Sequence, residues 1–298
     1  MIRSLITLLL LANMSTGTLV PDTVQIQNNF NNADLLEVHL VPVKDIDEIE
    51  PVIEAVAALV MDMDSGVILY EKDIYTPLPM ASLTKIMTAI LILESHDLSE
   101  VVTVNGNYGA MTEDEIGVRI WLRQYEKITV GNLLTALLVP SAGDAALALA
   151  EYHSGSVEEF IREMNKKTVV LNLENTNFVN PIGLDDEQHY SSAFDLAILT
   201  KYALTFPAFR NIIRIREATV ASTDGKIKHQ FENTNWLLDS YLDIQGVKTG
   251  TTEAAGASLI NLARDYRGHE IISVLLNSQD RFQENKSLID WIFRSYKW

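Results

Sequence analysis

The run Ile86-Met87-Thr88-Ala89-Ile90-Leu91-Ile92-Leu93 is apolar on nearly every side of a helical wheel, and a helix without a polar face has to be surrounded by other elements. The stretch therefore predicts a helix buried in the middle of a domain. Directly before it stands Ser82-Leu83-Thr84-Lys85. On a helix, positions i and i+3 put the Ser82 hydroxyl and the Lys85 amine on one face, a turn apart. A lysine cut off from water loses basicity and can then take the proton of a serine that is a poor nucleophile by itself. The plainer reading is a helix-start serine followed by a surface lysine, and a four-residue match alone does not exclude it.

With 298 residues, 47% of them apolar, the chain can bury a sizeable core as one large domain or two small ones. A formal charge of −17 with no basic cluster argues against a nucleic-acid partner, because phosphate binding needs a basic face. There is no cysteine, which excludes a disulfide framework, a thiolate metal site and a lipidated-cysteine anchor. At the N-terminus Arg3, the apolar run Leu5 to Ala12 and the polar exit Asn13, Ser15, Thr16 and Gly17 have the layout of a signal peptide. Residues 1–20 are expected to be a signal peptide or, if uncleaved, an N-terminal anchor. Their apolar part is shorter than the roughly 20 residues that span a bilayer. Residues 21–50, rich in Gln and Asn and ending in the acidic run Asp45 to Glu50, read as a flexible linker outside the fold. The folded domain is expected over 51–298.

Within that domain, Ala57 to Met63 and Val67 to Tyr70 are predicted strands joined by the hairpin turn Asp64-Ser65-Gly66. The helix after Ser82 should end near Ser95 to Asp97. Residues 101–128 carry little pattern, with Glu113, Asp114 and Glu115 read as a solvated acidic loop. A helical pattern from Thr129 to His153 breaks at Pro140-Ser141-Ala142-Gly143-Asp144, where proline and glycine end one helix and Ser141 or Asp144 caps the next. Ser141 thus lies in a tight turn between two apolar helices, and a capping role alone would account for it. Two helices follow, Val157 to Val170 and Ser192 to Phe206, separated by a loop that Asn180-Pro181 and Ile182-Gly183 mark as irregular. His189, in that loop, is read as structural. Gly246 to Thr252, Gly256 to Ala263 and Glu270 to Asn277 are predicted strands, and Arg281 to Tyr296 a final amphipathic helix packed on the sheet. This order implies an α+β class: an antiparallel sheet flanked by helices, with an all-helical subdomain over about 95–235.

S-x-x-K at Ser82, a serine turn between helices at Ser141 and K-T-G at Lys248 are each weak. In this order and setting the set resembles the penicillin-binding proteins and serine β-lactamases. The segments MASLTKIMTA, FVNPIGLDDEQHYSSAFDLA and NTNWLL…GVKTGTTEAAGASL extend the resemblance to the low-molecular-mass D-alanyl-D-alanine carboxypeptidases, over roughly residues 55–298. The resemblance implies a serine-type D-Ala-D-Ala carboxypeptidase that trims peptidoglycan stem pentapeptides through an acyl-enzyme and is acylated by penicillin and other β-lactams. It implies Ser82 as nucleophile, Lys85 as base and Ser141 as proton relay to the leaving amine. Lys248 and Thr249, with Gly250 and Thr251, would hold the substrate and its terminal carboxylate, and the backbone N–H groups of Ser82 and Thr251 would form the oxyanion hole. No cofactor or metal is expected. The resemblance and the N-terminal layout imply an extracytoplasmic setting, secreted or on the periplasmic or cell-wall side. Relatives often add a β-domain and a C-terminal amphipathic helix, whereas this chain stops at Trp298, so membrane contact is expected only through the N-terminal segment.

One position departs from the pattern. The family usually has asparagine two residues after the second serine, and here it is Gly143. Loss of its hydrogen bond, roughly 0.5–1.5 kcal/mol, is expected to lower efficiency or shift substrate preference, with Asp144 as a partial substitute. A D,D-endopeptidase and a β-lactamase-like hydrolase remain alternatives, although no clear E-x-x-L-N stretch supplies a deacylating glutamate. A catalytically weak peptidoglycan-binding paralogue is a third.

Overall fold

The computed structural model describes residues 41–45 and 48–298, and the signal or anchor expected over residues 1–20 lies outside them. The described chain begins with a two-residue strand, β1 (Val43–Lys44), paired antiparallel with Tyr296–Lys297 at the other end. This corrects the linker expectation at its C-terminal end. The Asp45 N–H donates to the Ser295 carbonyl at 2.8 Å, and Arg294 pairs with Glu48 at 3.1 Å, so main-chain pairing and charge dock a polar stretch that composition alone marks as loose.

The first hairpin is β2 (Ala57–Asp62) and β3 (Ile68–Lys72). Its turn is closed by the Ser65 N–H donating to Asp62 Oδ2 at 2.8 Å, with Gly66 at φ 73°, a conformation open to glycine because it lacks Cβ. A single 3₁₀ turn, Ala81–Thr84, leads into α1 (Lys85–Ser95). After it come the ribbon β4 (Val101–Thr103) and β5 (Lys127–Thr129), with the short helix α2 (Glu113–Ile116) between them. The residues expected as an acidic loop are thus a helical turn. Its start is a capping box in which Thr112 and Glu115 satisfy each other's end of the turn.

Next are α3 (Val130–Leu138), α4 (Gly143–Ser154), α5 (Val157–Val170), α6 (Ala193–Ala203) and α7 (Pro207–Ile213). The N-cap of α4 is Ala142, not Ser141 or Asp144, and no side chain caps it. A second ribbon, β6 (Glu217–Ala221) with β7 (Lys228–Glu232), precedes β8 (Asp243–Thr252), β9 (Gly256–Arg264), β10 (Glu270–Ser278), α8 (Arg281–Ser295) and β11 (Tyr296–Lys297).

The central sheet runs β3-β2-β10-β9-β8, antiparallel at every step. Residues alternate faces along a strand, and here both faces are buried. Ala57, Leu59 and Met61 pack with α1, α3, α4 and α6, whereas Ala58 and Val60 pack with Leu288, Ile289 and Ile292 of α8. The architecture is therefore α+β in three layers, as expected, but the stretch 95–235 expected to be all-helical also carries the two antiparallel ribbons β4–β5 and β6–β7. Every residue of α1 from Lys85 to Ile92 is buried, so the apolar run does occupy the centre, with Lys85 at its buried start.

Candidate active site

Ser82 does not share an α-helix with Lys85. It sits in the preceding 3₁₀ turn, whose first residue, Ala81, has φ 48°. In a 3₁₀ turn positions i and i+3 eclipse, and Lys85 Nζ lies 3.1 Å from Ser82 Oγ. The same amine donates to the Ile182 carbonyl. Lys85 is 2% exposed, and burial brings its ammonium down to about 7, against the opposing pull of the Asp144 charge.

The loop that marked itself by Asn180-Pro181-Ile182-Gly183 is folded around this turn. Asn180 Oδ1 accepts the N–H groups of Ile182 at 3.2 Å, Gly183 at 2.6 Å and Leu184 at 3.1 Å, which aims the Ile182 carbonyl at Lys85. Gly183 has φ 90°, and a Cβ on it would lie 2.1 Å from the Ala81 carbonyl oxygen. Only glycine lets the two segments meet.

From the other side comes β8. A Cβ on Gly250 would lie 3.1 Å from Ser82 N, so the strand backbone runs against the N–H of the serine. Lys248 is 1% exposed and its Nζ donates to the Thr249 carbonyl at 3.1 Å. Burial, then the nearby Lys85 and Arg281 charges, push its ammonium well below the usual lysine range. Thr249 Oγ1 and Thr234 Oγ1 are 2.6 Å apart, and the Thr234 N–H donates to the Val139 carbonyl at 3.3 Å. That pair of bonds ties β8 to the end of α3, next to Ser141. Thr251 is exposed, and Arg281 at the start of α8 donates to its Oγ1 and, at 2.7 Å, to the Gly250 carbonyl. Sequence reasoning placed Arg281 only on a packing helix; its role here depends on a strand 30 residues away, which no local pattern reveals.

Ser141 stands in the α3–α4 turn with φ 71°, its hydroxyl buried without a hydrogen-bond partner. Gly143 and Asp144 are both taken up by the segment 116–122. The Gly143 N–H donates to the Val118 carbonyl at 2.6 Å, and a Cβ on Gly143 would lie 1.9 Å from the Ile116 carbonyl oxygen. Asp144 turns to the same segment, accepting the N–H groups of Ile120 at 3.2 Å and Leu122 at 3.0 Å. Burial raises its carboxyl and these N–H groups pull it back. It therefore does not replace the expected asparagine as a substrate-facing group.

Residues 45–280 match the family model described as D-alanyl-D-alanine carboxypeptidase, peptidase S11. The chain is 35% identical to D-alanyl-D-alanine carboxypeptidase DacF of Bacillus subtilis over 251 residues, 82% of this chain and 63% of that protein. It is 34% identical to DacC of Escherichia coli over 261 residues, 83% of this chain and 63% of that protein. The chain thus spans less than two thirds of the length of these relatives. Among solved structures, the Streptomyces K15 DD-transpeptidase superposes with a TM-score of 0.77 at 30% identity, covering 83% of this chain and 100% of that one. Penicillin-binding protein 5 of Haemophilus influenzae gives 0.74 at 32% identity, covering 83% and 73%. The chain belongs to the D-alanyl-D-alanine carboxypeptidase family.

Proposed function

We propose that the protein is a serine D-Ala-D-Ala carboxypeptidase that removes the terminal D-alanine from peptidoglycan stem pentapeptides, outside the cytoplasmic membrane, with Ser82 acylated on the way. In this reading residues 51–298 are the catalytic domain, and the pairing of Val43–Lys44 with Tyr296–Lys297 supports counting the strand from Val43 with it. One observation carries the reading: a buried lysine whose basicity has fallen to about 7 has its amine 3.1 Å from a serine hydroxyl. Neutral Lys85 takes the Ser82 proton as Oγ bonds to the carbonyl carbon between the two D-alanines. The backbone N–H groups of Ser82 and Thr251 receive the oxyanion, each donor of this kind contributing on the order of 10²–10³ in rate. The C–N bond then breaks, and the leaving nitrogen collects a proton through Lys85 and Ser141, whose unpartnered hydroxyl is free to accept one and pass one on. Water, deprotonated by the same lysine, attacks the ester and releases the shortened peptide and Ser82.

Lys248, Thr249 and Arg281 take the terminal carboxylate. Burial first, and then the Lys85 and Arg281 charges, disfavour the charged form of Lys248, and an arriving carboxylate supplies the missing countercharge. Binding of the anion is then coupled to proton uptake by the lysine.

Mass spectrometry after benzylpenicillin treatment tests the reading. The adduct is expected on the peptide containing Ser82, and D-alanine release from a muramyl pentapeptide is expected to vanish in Ser82→Ala. Release at the parental rate by that variant sinks the proposal. An adduct that turns over rapidly makes the β-lactamase alternative the better one, and absence of any adduct favours a peptidoglycan-binding paralogue.

A further inference from the structure

Ala81 occupies the left-handed region, φ 48°, which a residue bearing Cβ enters only when its surroundings hold it there. The hold is a line of three hydrogen bonds ending at its carbonyl. The Thr84 hydroxyl donates to the Ala81 oxygen at 2.8 Å; Thr84 Oγ1 lies 2.7 Å from His189 Nε2; and the Val179 N–H donates to His189 Nδ1 at 3.1 Å. An amide N–H can only donate, so Nδ1 carries no hydrogen and Nε2 carries the one that goes to Thr84. That leaves the hydrogen of Thr84 for Ala81. One backbone amide thereby sets the direction of every bond in the line. His189 is 2% exposed and Thr84 fully buried, so water does not compete, and burial lowers His189 to about 4, keeping it neutral at ordinary pH.

We propose that His189 is a positioning residue, which acts through Thr84 on the Ala81 carbonyl to fix the turn that presents Ser82 to Lys85. The proposal rests on Ser82 being the acylated nucleophile. It differs from a merely structural role because the line ends on the residue next to the nucleophile. A displacement of about 1 Å in a reacting atom can lower a rate on the order of 10²-fold while the fold persists.

Acylation by a fluorescent penicillin, measured to saturation, separates the limiting rate from the half-saturating concentration. Thr84→Val keeps the shape and removes the hydroxyl; it and His189→Gln should each lower the limiting rate about tenfold or more, with half-saturation unchanged. Thr84→Ser, which keeps the hydroxyl, should react like the parent. The double variant should be no slower than the slower single, because both break one line. The proposal is overturned by a parental limiting rate in Thr84→Val, by a loss confined to half-saturation, or by losses that multiply in the double variant. If His189→Gln fails to fold, the Thr84→Val and Thr84→Ser pair decides. A parent chain that takes no label overturns the functional reading and the positioning role with it, whereas a labelled parent with an equally fast Thr84→Val overturns the positioning role alone.

Discussion

At Gly143 a side chain is not merely missing; there is no room for one. The position where Cβ would stand is 1.9 Å from the Ile116 carbonyl oxygen, and backbone cannot swing aside as a long side chain can. Gly143→Asn, which rebuilds the family's usual motif, is therefore expected to harm the protein. It should destabilise by about 1–3 kcal/mol, as overpacking does, and slow penicillin acylation, seen by thermal unfolding and labelling kinetics together. Faster acylation in that variant would show that the segment 116–122 yields easily. The motif residues Ser82, Lys85 and Lys248 are legible in sequence because each announces itself within four residues. Thr84, His189 and Asp144 do not, since their partners lie 105 residues away for Thr84 and His189 and 24 away for Asp144 and Ile120. The loss expected at Gly143 was read from a pattern, and only the packing of another segment gives it its physical meaning.

Among elements, α4 links chemistry to a loop. Its second residue, Asp144, holds the N–H groups of Ile120 and Leu122 and at the same time raises the Lys85 pKa through its charge. Asp144→Asn removes the charge and one acceptor set. Neutral lysine should then appear at lower pH, so the rising limb of acylation against pH, near 7 in the parent by the Lys85 value, should move in the acid direction. Amide exchange at Ile120 and Leu122 should quicken as the loop loosens. A limb that stays in place or moves to higher pH would mean that Asp144 is not felt at Lys85. The main strands and helices were readable from periodicity, with α5 predicted at its observed bounds, Val157–Val170. The ribbons β4–β5 and β6–β7 were not: strands of three residues are too short for alternation to stand out, and β6 and β7 each bury a single residue, Val220 and His229, so they carry no apolar face to read. The 3₁₀ turn at Ser82 was missed because its sequence favours helix of either kind, and contact with β8 and the 180–184 loop decides between them.

On the scale of the whole molecule, the sheet separates two cores, and a polar line runs through the one on the α8 side. Asn235 donates to Asn261 at 2.7 Å, Asn261 to Asn285 at 2.8 Å, and Asn285 to Ser273 at 3.0 Å. This chain of amides fixes the register of β9, β10 and α8 against the segment leading into β8, since a misplaced neighbour would leave a buried amide unpaired. The pairing of β1 with β11 has a different consequence, for chain topology. Val43 stands opposite Lys297 and Lys44 opposite Tyr296, so the two ends of the described fold are neighbours. The order in which the chain is threaded should then be exchangeable. A circular permutant that joins Trp298 to Val41 through a short glycine-serine link and opens between the exposed Gly225 and Lys226 should fold and be labelled by penicillin on Ser82 at close to the parental rate. A folded permutant that takes no label would show that the beginning of this chain has to be where it is for reasons other than architecture.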